Sequence, residues 1–174
     1  MNSVRSEKGA AVVEFAILFL LLMVFLFGII DFGIIWVESH YITNAAREGA
    51  RVASKFSDLS DTTAQDKIEA AVKNYLEGIY GTLQDSEVDL TYDGSFPGSP
   101  KFVEILVTHG TLNSFNDAAN QVTSPPNAVE VQVMVQTAQV WEPVLWDLLQ
   151  LIPGTDVPAP REITRSAVFA KDPD

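Results

Sequence analysis

The sequence predicts an α+β fold: a long N-terminal transmembrane helix that runs on into a domain whose helices pack on an antiparallel sheet. Three observations predict it. Phe15–Ile30 is a run of 16 consecutive uncharged residues, almost all apolar. Residues 63–80 repeat apolar side chains at spacings of three and four, the period of a half-buried helix. From Glu87 onward the repeat changes to two, the period of a half-buried strand.

The apolar run alone covers roughly 24 Å as a helix, slightly short of a hydrocarbon core of about 30 Å. Ala10–Val13 extend it on one side of Glu14, and Phe32–Val37 extend it beyond Asp31. From Ala10 to Val37 the helix is about 42 Å long, enough to cross. No proline interrupts it. The apolar stretch exceeds the usual h-region of a secretory signal, which argues against ordinary signal removal. Asp31 lies near the far end, where it can reach headgroups or water. Arg5 and Lys8 precede the helix, and the chain from Asp31 onward carries 9 basic and 21 acidic residues. This predicts one pass with a cytoplasmic N-terminus and an exported body. Trp36 and Tyr41 fit aromatic anchors at the outer interface. The expected segments are a short polar stretch over 1–9, the membrane helix over 10–37 and the exported domain over 38–174.

Beyond the membrane the first helix is expected to continue to about Phe56. Ile42, Ala46, Gly49, Ala53 and Phe56 share a face, and most are small enough for close approach. Arg47, Arg51 and Lys55 line another face at i, i+4 and i+8, either as a solvated row or as a contact for acidic partners or headgroups. Ser57–Asp61 is a polar break. The second helix spans Thr63–Tyr80, with Ile68, Ala71, Val72, Tyr75, Leu76 and Ile79 as its apolar stripe. Thr62 with Gln65 suits its start, and Gly81 its end.

Strands are predicted at Glu87–Tyr92, Phe102–Thr108, Ala128–Val140 and Glu162–Ala170. Asp93–Pro100 is turn-rich, and Thr108–Asn127 is a long polar connection. In the third strand Val129, Val131, Val133 and Val135 alternate with Glu130, Gln132, Met134 and Gln136, so one side is expected to pack and the other to meet water. A short helix from Trp141 to about Leu151 is expected to interrupt the strands, with Pro143 at a tolerated early position.

Little in the sequence does chemistry. The chain has no cysteine, which excludes disulfides, thiolate metal sites and cysteine nucleophiles. A net charge of −12 without a basic stripe argues against nucleic acid. His40 and His109 are the only histidines, and neither has a zinc-ligand spacing. The acids at Asp58, Asp61 and Asp66 and at Asp85, Glu87 and Asp89 do not match an EF-hand loop. Trp141 and Trp146 read as core or interface aromatics. No phosphate-cradling loop or nucleophile elbow appears. No enzyme, no cofactor and no metal are expected.

Residues 8–15, Lys-Gly-Ala-Ala-Val-Val-Glu-Phe, resemble a prepilin leader of the Flp/Tad type: a short polar leader, a glycine, four residues, then Glu and an aromatic. Phe15–Leu18, Gly28–Gly33 and the block Asn44–Arg51 extend the likeness, and together they resemble the TadE-like family of minor pilins, or pseudopilins. Asp31 stands where that family often has Glu, and the proline many members carry in the apolar run is absent.

The resemblance implies a pilin-like exported domain and cleavage by a prepilin peptidase between Gly9 and Ala10. Glu14 then becomes the fifth residue of the mature chain, beside Phe15, and engages a neighbour's terminal amine in the assembly. Independently of the resemblance, Arg47, Glu48 and Arg51 are a candidate helix contact face. The implied function is a minor pilin of a Tad/Flp-type pilus in a priming or tip complex, supporting pilus biogenesis, adhesion or secretion. The implied partners are the prepilin peptidase, other minor pilins, the major Flp pilin, the inner-membrane assembly platform and membrane lipid. The implied place is the bacterial inner membrane, with the C-terminal domain periplasmic, and later the pilus or its tip. A second reading is a permanently anchored binding module, whose sheet edge or long loop recognises an envelope or surface partner.

Overall fold

The computed structural model describes residues 3–92, 94–96, 101–109, 128–141, 143–144 and 162–170. The elements described among these residues are the α-helices α1 (Ser3–Ala53) and α2 (Thr62–Tyr80) and the strands β1 (Val88–Tyr92), β2 (Val103–His109), β3 (Ala128–Val135) and β4 (Ile163–Ala170). The α+β class is borne out. The chain divides into two compact units: α1 through Trp36 belongs to one, and α1 from Val37 onward, α2 and the sheet belong to the other.

In the second unit, α1 is held by small residues. Ala45, Ala46, Ala50 and Ala53 are wholly buried, as is Ile42. Their short side chains bring the helix axis close to its neighbours. At Gly49 the approach is closest: a Cβ there would lie 2.7 Å from Val72 Cγ2 and 3.2 Å from Val131 Cγ1. Val72 is on α2 and Val131 on β3, so α1 touches helix and sheet at one position. The helix stops at Ala53, three residues before the expected end, and Phe56 lies under the ammonium of Lys67 at 5.3 Å from the ring centroid.

α2 buries Ala64, Ile68, Val72 and Leu76, a strict four-residue stripe. Tyr75, expected in that stripe, sits at its border and packs against Tyr41 of α1, with ring centroids 6.2 Å apart. Its N-cap is Asp61, whose carboxylate accepts from the Thr63 amide at 3.3 Å, rather than Thr62. Gln65, expected to complete a cap with Thr62, instead donates its side-chain amide to the Leu59 carbonyl at 3.1 Å. Gly81 ends the helix at φ 77°, a left-handed conformation that glycine adopts at no steric cost.

The sheet order is β1-β2-β3-β4. β2–β3 and β3–β4 are antiparallel, but β1 and β2 are parallel, with Val88 opposite Val103 and Tyr92 opposite Val107. The sheet is therefore mixed rather than wholly antiparallel. A parallel pair cannot be joined by a two-residue hairpin, although the sequence between the strands, 93–102, is rich in turn residues. Turn-forming pairs within that stretch suggest a hairpin without requiring one.

β3 ends at Val135, not Val140. Gln136 leaves the extended region, and Thr137–Gln139 form a 3-10 turn. Both faces of β3 are covered: Glu130 and Met134 are buried as well as the valines. Alternation reports which face is apolar, while a central strand flanked on both sides is sheltered on both. The expected long polar connection, the turn-rich segment past Phe96 and the helix past Val144 lie outside the described residues.

Gly49→Val is expected to destabilise this unit by about 1–3 kcal/mol, because the added atoms must displace Val72 and Val131. Gly78→Ala, whose Cβ would meet only Tyr41 at 3.6 Å, is expected to stabilise it by up to ~1 kcal/mol through helix propensity. Denaturant midpoints of the two variants in detergent check this, and midpoints moving the same way would contradict it.

Candidate functional site

The candidate site is the N-terminal part of α1. A side chain at Gly9 would meet nothing within 4 Å, and Gly9 and Ala10 are both exposed. The Gly9–Ala10 bond lies inside the continuous helix. Glu14 is exposed and makes no hydrogen bond or ion pair among the described residues. Phe15, 68% exposed, stacks on Phe19 one turn later, with centroids 6.0 Å apart.

From Val12 to Phe32 the exposed apolar side chains point in every direction around the helix axis. The most apolar 18-residue window has a mean hydropathy of 2.9, and none of it is buried within the protein. A helix apolar on all sides needs an apolar surround. By length and composition this one can cross a membrane.

Toward the end of that stretch one side becomes sheltered. Asp31, expected to reach headgroups or water, is only 4% exposed. Glu38, seven residues on and therefore on the same side of the helix, is equally buried. Trp36, between them in sequence, is exposed as an interfacial anchor requires, whereas Tyr41 is taken up by its packing on α2.

Arg47, Glu48 and Arg51 are not one cluster. The Arg51 guanidinium grips Glu48 through two nitrogens, its Nε at 2.8 Å from Oε2 and its terminal nitrogen on Oε1. Glu48 also lines a shallow groove of about 470 Å³ between α1 and α2, with Lys67, Asn74 and Tyr75. Arg47 is exposed. Within the basic row, Glu48 therefore offsets one charge, as three like charges on one face require.

Besides Asp31, three buried carboxylates were not legible as such: Glu38, Glu104 and Glu130. Glu104 sits in the run Phe102-Val103-Glu104-Ile105-Leu106-Val107, and so unbroken an apolar context signals burial on both faces. Its Oε1 accepts from the Lys101 amide at 3.1 Å. Glu130 accepts from Gln132 at 3.3 Å and from the Ser166 hydroxyl. Burial raises both carboxyls above the ordinary range. Among the described residues no group of three or more His, Asp or Glu is placed to hold a metal ion.

Because the folded state holds Glu104 and Glu130 protonated at pH values where the unfolded chain has ionised them, their contribution to stability is fully present below the ordinary glutamate value of 4.5. It is lost as pH rises through the raised folded values. Glu130→Gln, which keeps an acceptor for Ser166, should flatten part of the decline in thermal midpoint as pH rises above the ordinary glutamate value. A variant whose midpoint falls as steeply as the wild type would show that Glu130 does not carry it.

Residues 9–51 match the family model of TadE-like proteins. No curated protein and no solved structure gives a match.

Proposed function

We propose that the chain is a pilin-like subunit of a Tad-type pilus, held in the bacterial inner membrane by α1 with its domain in the periplasm. The observation that carries this is the coincidence of the TadE-like match over residues 9–51 with a helix whose apolar surface is exposed all round. The role is structural: a prepilin peptidase cuts between Gly9 and Ala10, and the remaining helix packs among sister helices in a priming or tip complex with other minor pilins, the major pilin and the assembly platform.

The chemistry of α1 fits that sequence of events. Gly9 has no side chain to obstruct a protease cleft, and nothing crowds it. Cleavage leaves a cationic amine at Ala10, one helical turn from Glu14. Glu14 is a charge at the head of an apolar rod, and an unpaired carboxylate costs more the deeper it lies, up to roughly 2.5–3.5 kcal/mol at the bilayer centre on insertion scales. A neighbour's amine offsets that cost, and Phe15 stacked on Phe19 supplies apolar contact beside it. Arg47, exposed next to the Glu48–Arg51 pair, makes no ion pair among the described residues and is the cation this contact face would present.

Mass spectrometry of the protein purified from its own membrane should find a chain starting at Ala10. A chain starting at Met1 in cells that hold the peptidase would instead favour a permanent anchor. Glu14→Ala should insert and be cut normally, yet co-purify with several-fold less of the other pilus components. Unchanged recovery of those components would remove Glu14 from assembly.

A further inference from the structure

We propose that β4 of one chain pairs edge to edge, in parallel, with β1 of a second copy. The inference rests on the pilin reading only in taking from it that copies stand side by side in one orientation.

β4 is the last strand of the sheet, and among the described residues nothing pairs with its outer side. It is eight residues long, and five of them are exposed. Edge strands are ordinarily protected by proline, bulges, lysine or shortness. Ile163–Ala170 contains no proline, glycine or lysine, and its ladder with β3 runs without a bulge through all eight positions. Its one charge, Arg165, is engaged by the Ser39 hydroxyl of α1 at 2.8 and 3.0 Å. Such an edge is a template for another strand.

Strand direction selects the partner. β1 runs with β2, β2 against β3, and β3 against β4, so the two outer strands point the same way. Two copies placed side by side without inversion bring β4 of one beside β1 of the other, in parallel. An antiparallel β4–β4 pair would instead need a half-turn between the two copies.

Charge agrees. Among the described residues, 162–170 hold one base and one acid, whereas 85–92 hold three acids and no base. In a chain of net charge −12, two β1 edges are mutually repulsive, whereas a β4 edge of no net charge meets β1 without that cost. Lys73 and Lys101 offset Asp85 and Asp89 only partly, at 2.5 and 3.9 Å, and the Asp85 side chain stays 92% exposed. A strand pair buries less than the roughly 1,200 Å² of a stable soluble interface, so the contact depends on the high effective concentration of co-anchored copies. Being head-to-tail, it leaves one edge open at each end and can be repeated.

The absence of cysteine makes the contact directly testable. Thr91→Cys on β1, and Val168→Cys or Thr164→Cys on β4, lie on one face of the sheet and are introduced into the full chain. Membranes holding the Thr91→Cys chain together with a β4 variant, treated with a short bismaleimide, should give linked dimers several-fold above either variant alone. A chain carrying both cysteines should give a ladder beyond the dimer. No linkage with either β4 position, or linkage of Val168→Cys alone as strong as the mixture, would overturn the proposal. The N-terminus of the same sample separates the two readings: a chain cut at Ala10 but never linked refutes the strand pairing alone, and an uncut chain refutes the pilin reading.

Discussion

The exposed apolar surface of α1 is the constraint on which everything else depends. Phe15, Ile17, Leu20, Phe25, Ile29 and Phe32 present their side chains outward around the whole helix. In water that surface would cost roughly 25 cal/mol for each Å² left wet. It persists only where lipid or other helices replace water. Every polar group along the rod then acquires meaning from its depth. Glu14 stands at the head, Asp31 and Glu38 are turned to a sheltered side, and Trp36 is left outside.

Where α1 passes into the second unit, the same helix solves a different problem. Its surface changes from large exposed side chains to alanines and one glycine. The change in side-chain volume is what lets Val72 and Val131 close on Gly49 from two elements at once. One continuous helix thus serves as rod and as core, and the transition is written in residue size.

The sheet carries more charge inside than its composition suggests. Glu104 and Glu130 point to the face away from the Val131 row, and both are buried. Each keeps one oxygen in a hydrogen bond, and burial holds each toward its neutral form. A carboxyl that is neutral can be sheltered where a carboxylate could not.

Hydrophobic period and residue size are local properties, and they sufficed for α1, for the Ala64–Ile68–Val72–Leu76 stripe of α2, for the glycine stop at Gly81 and for the valine face of β3. The likeness over residues 9–51 was equally legible, because its residues are read along the chain. The direction of β1 against β2 was not, since a ten-residue connection containing turn residues permits either a hairpin or a return crossover. Nor was the burial of Glu104 and Glu130, or the separation of Arg47 from the Glu48–Arg51 pair. Those depend on which strand lies beside which and on which rotamer a neighbour leaves free. Period names the face of an element, and only the packed fold decides what covers it.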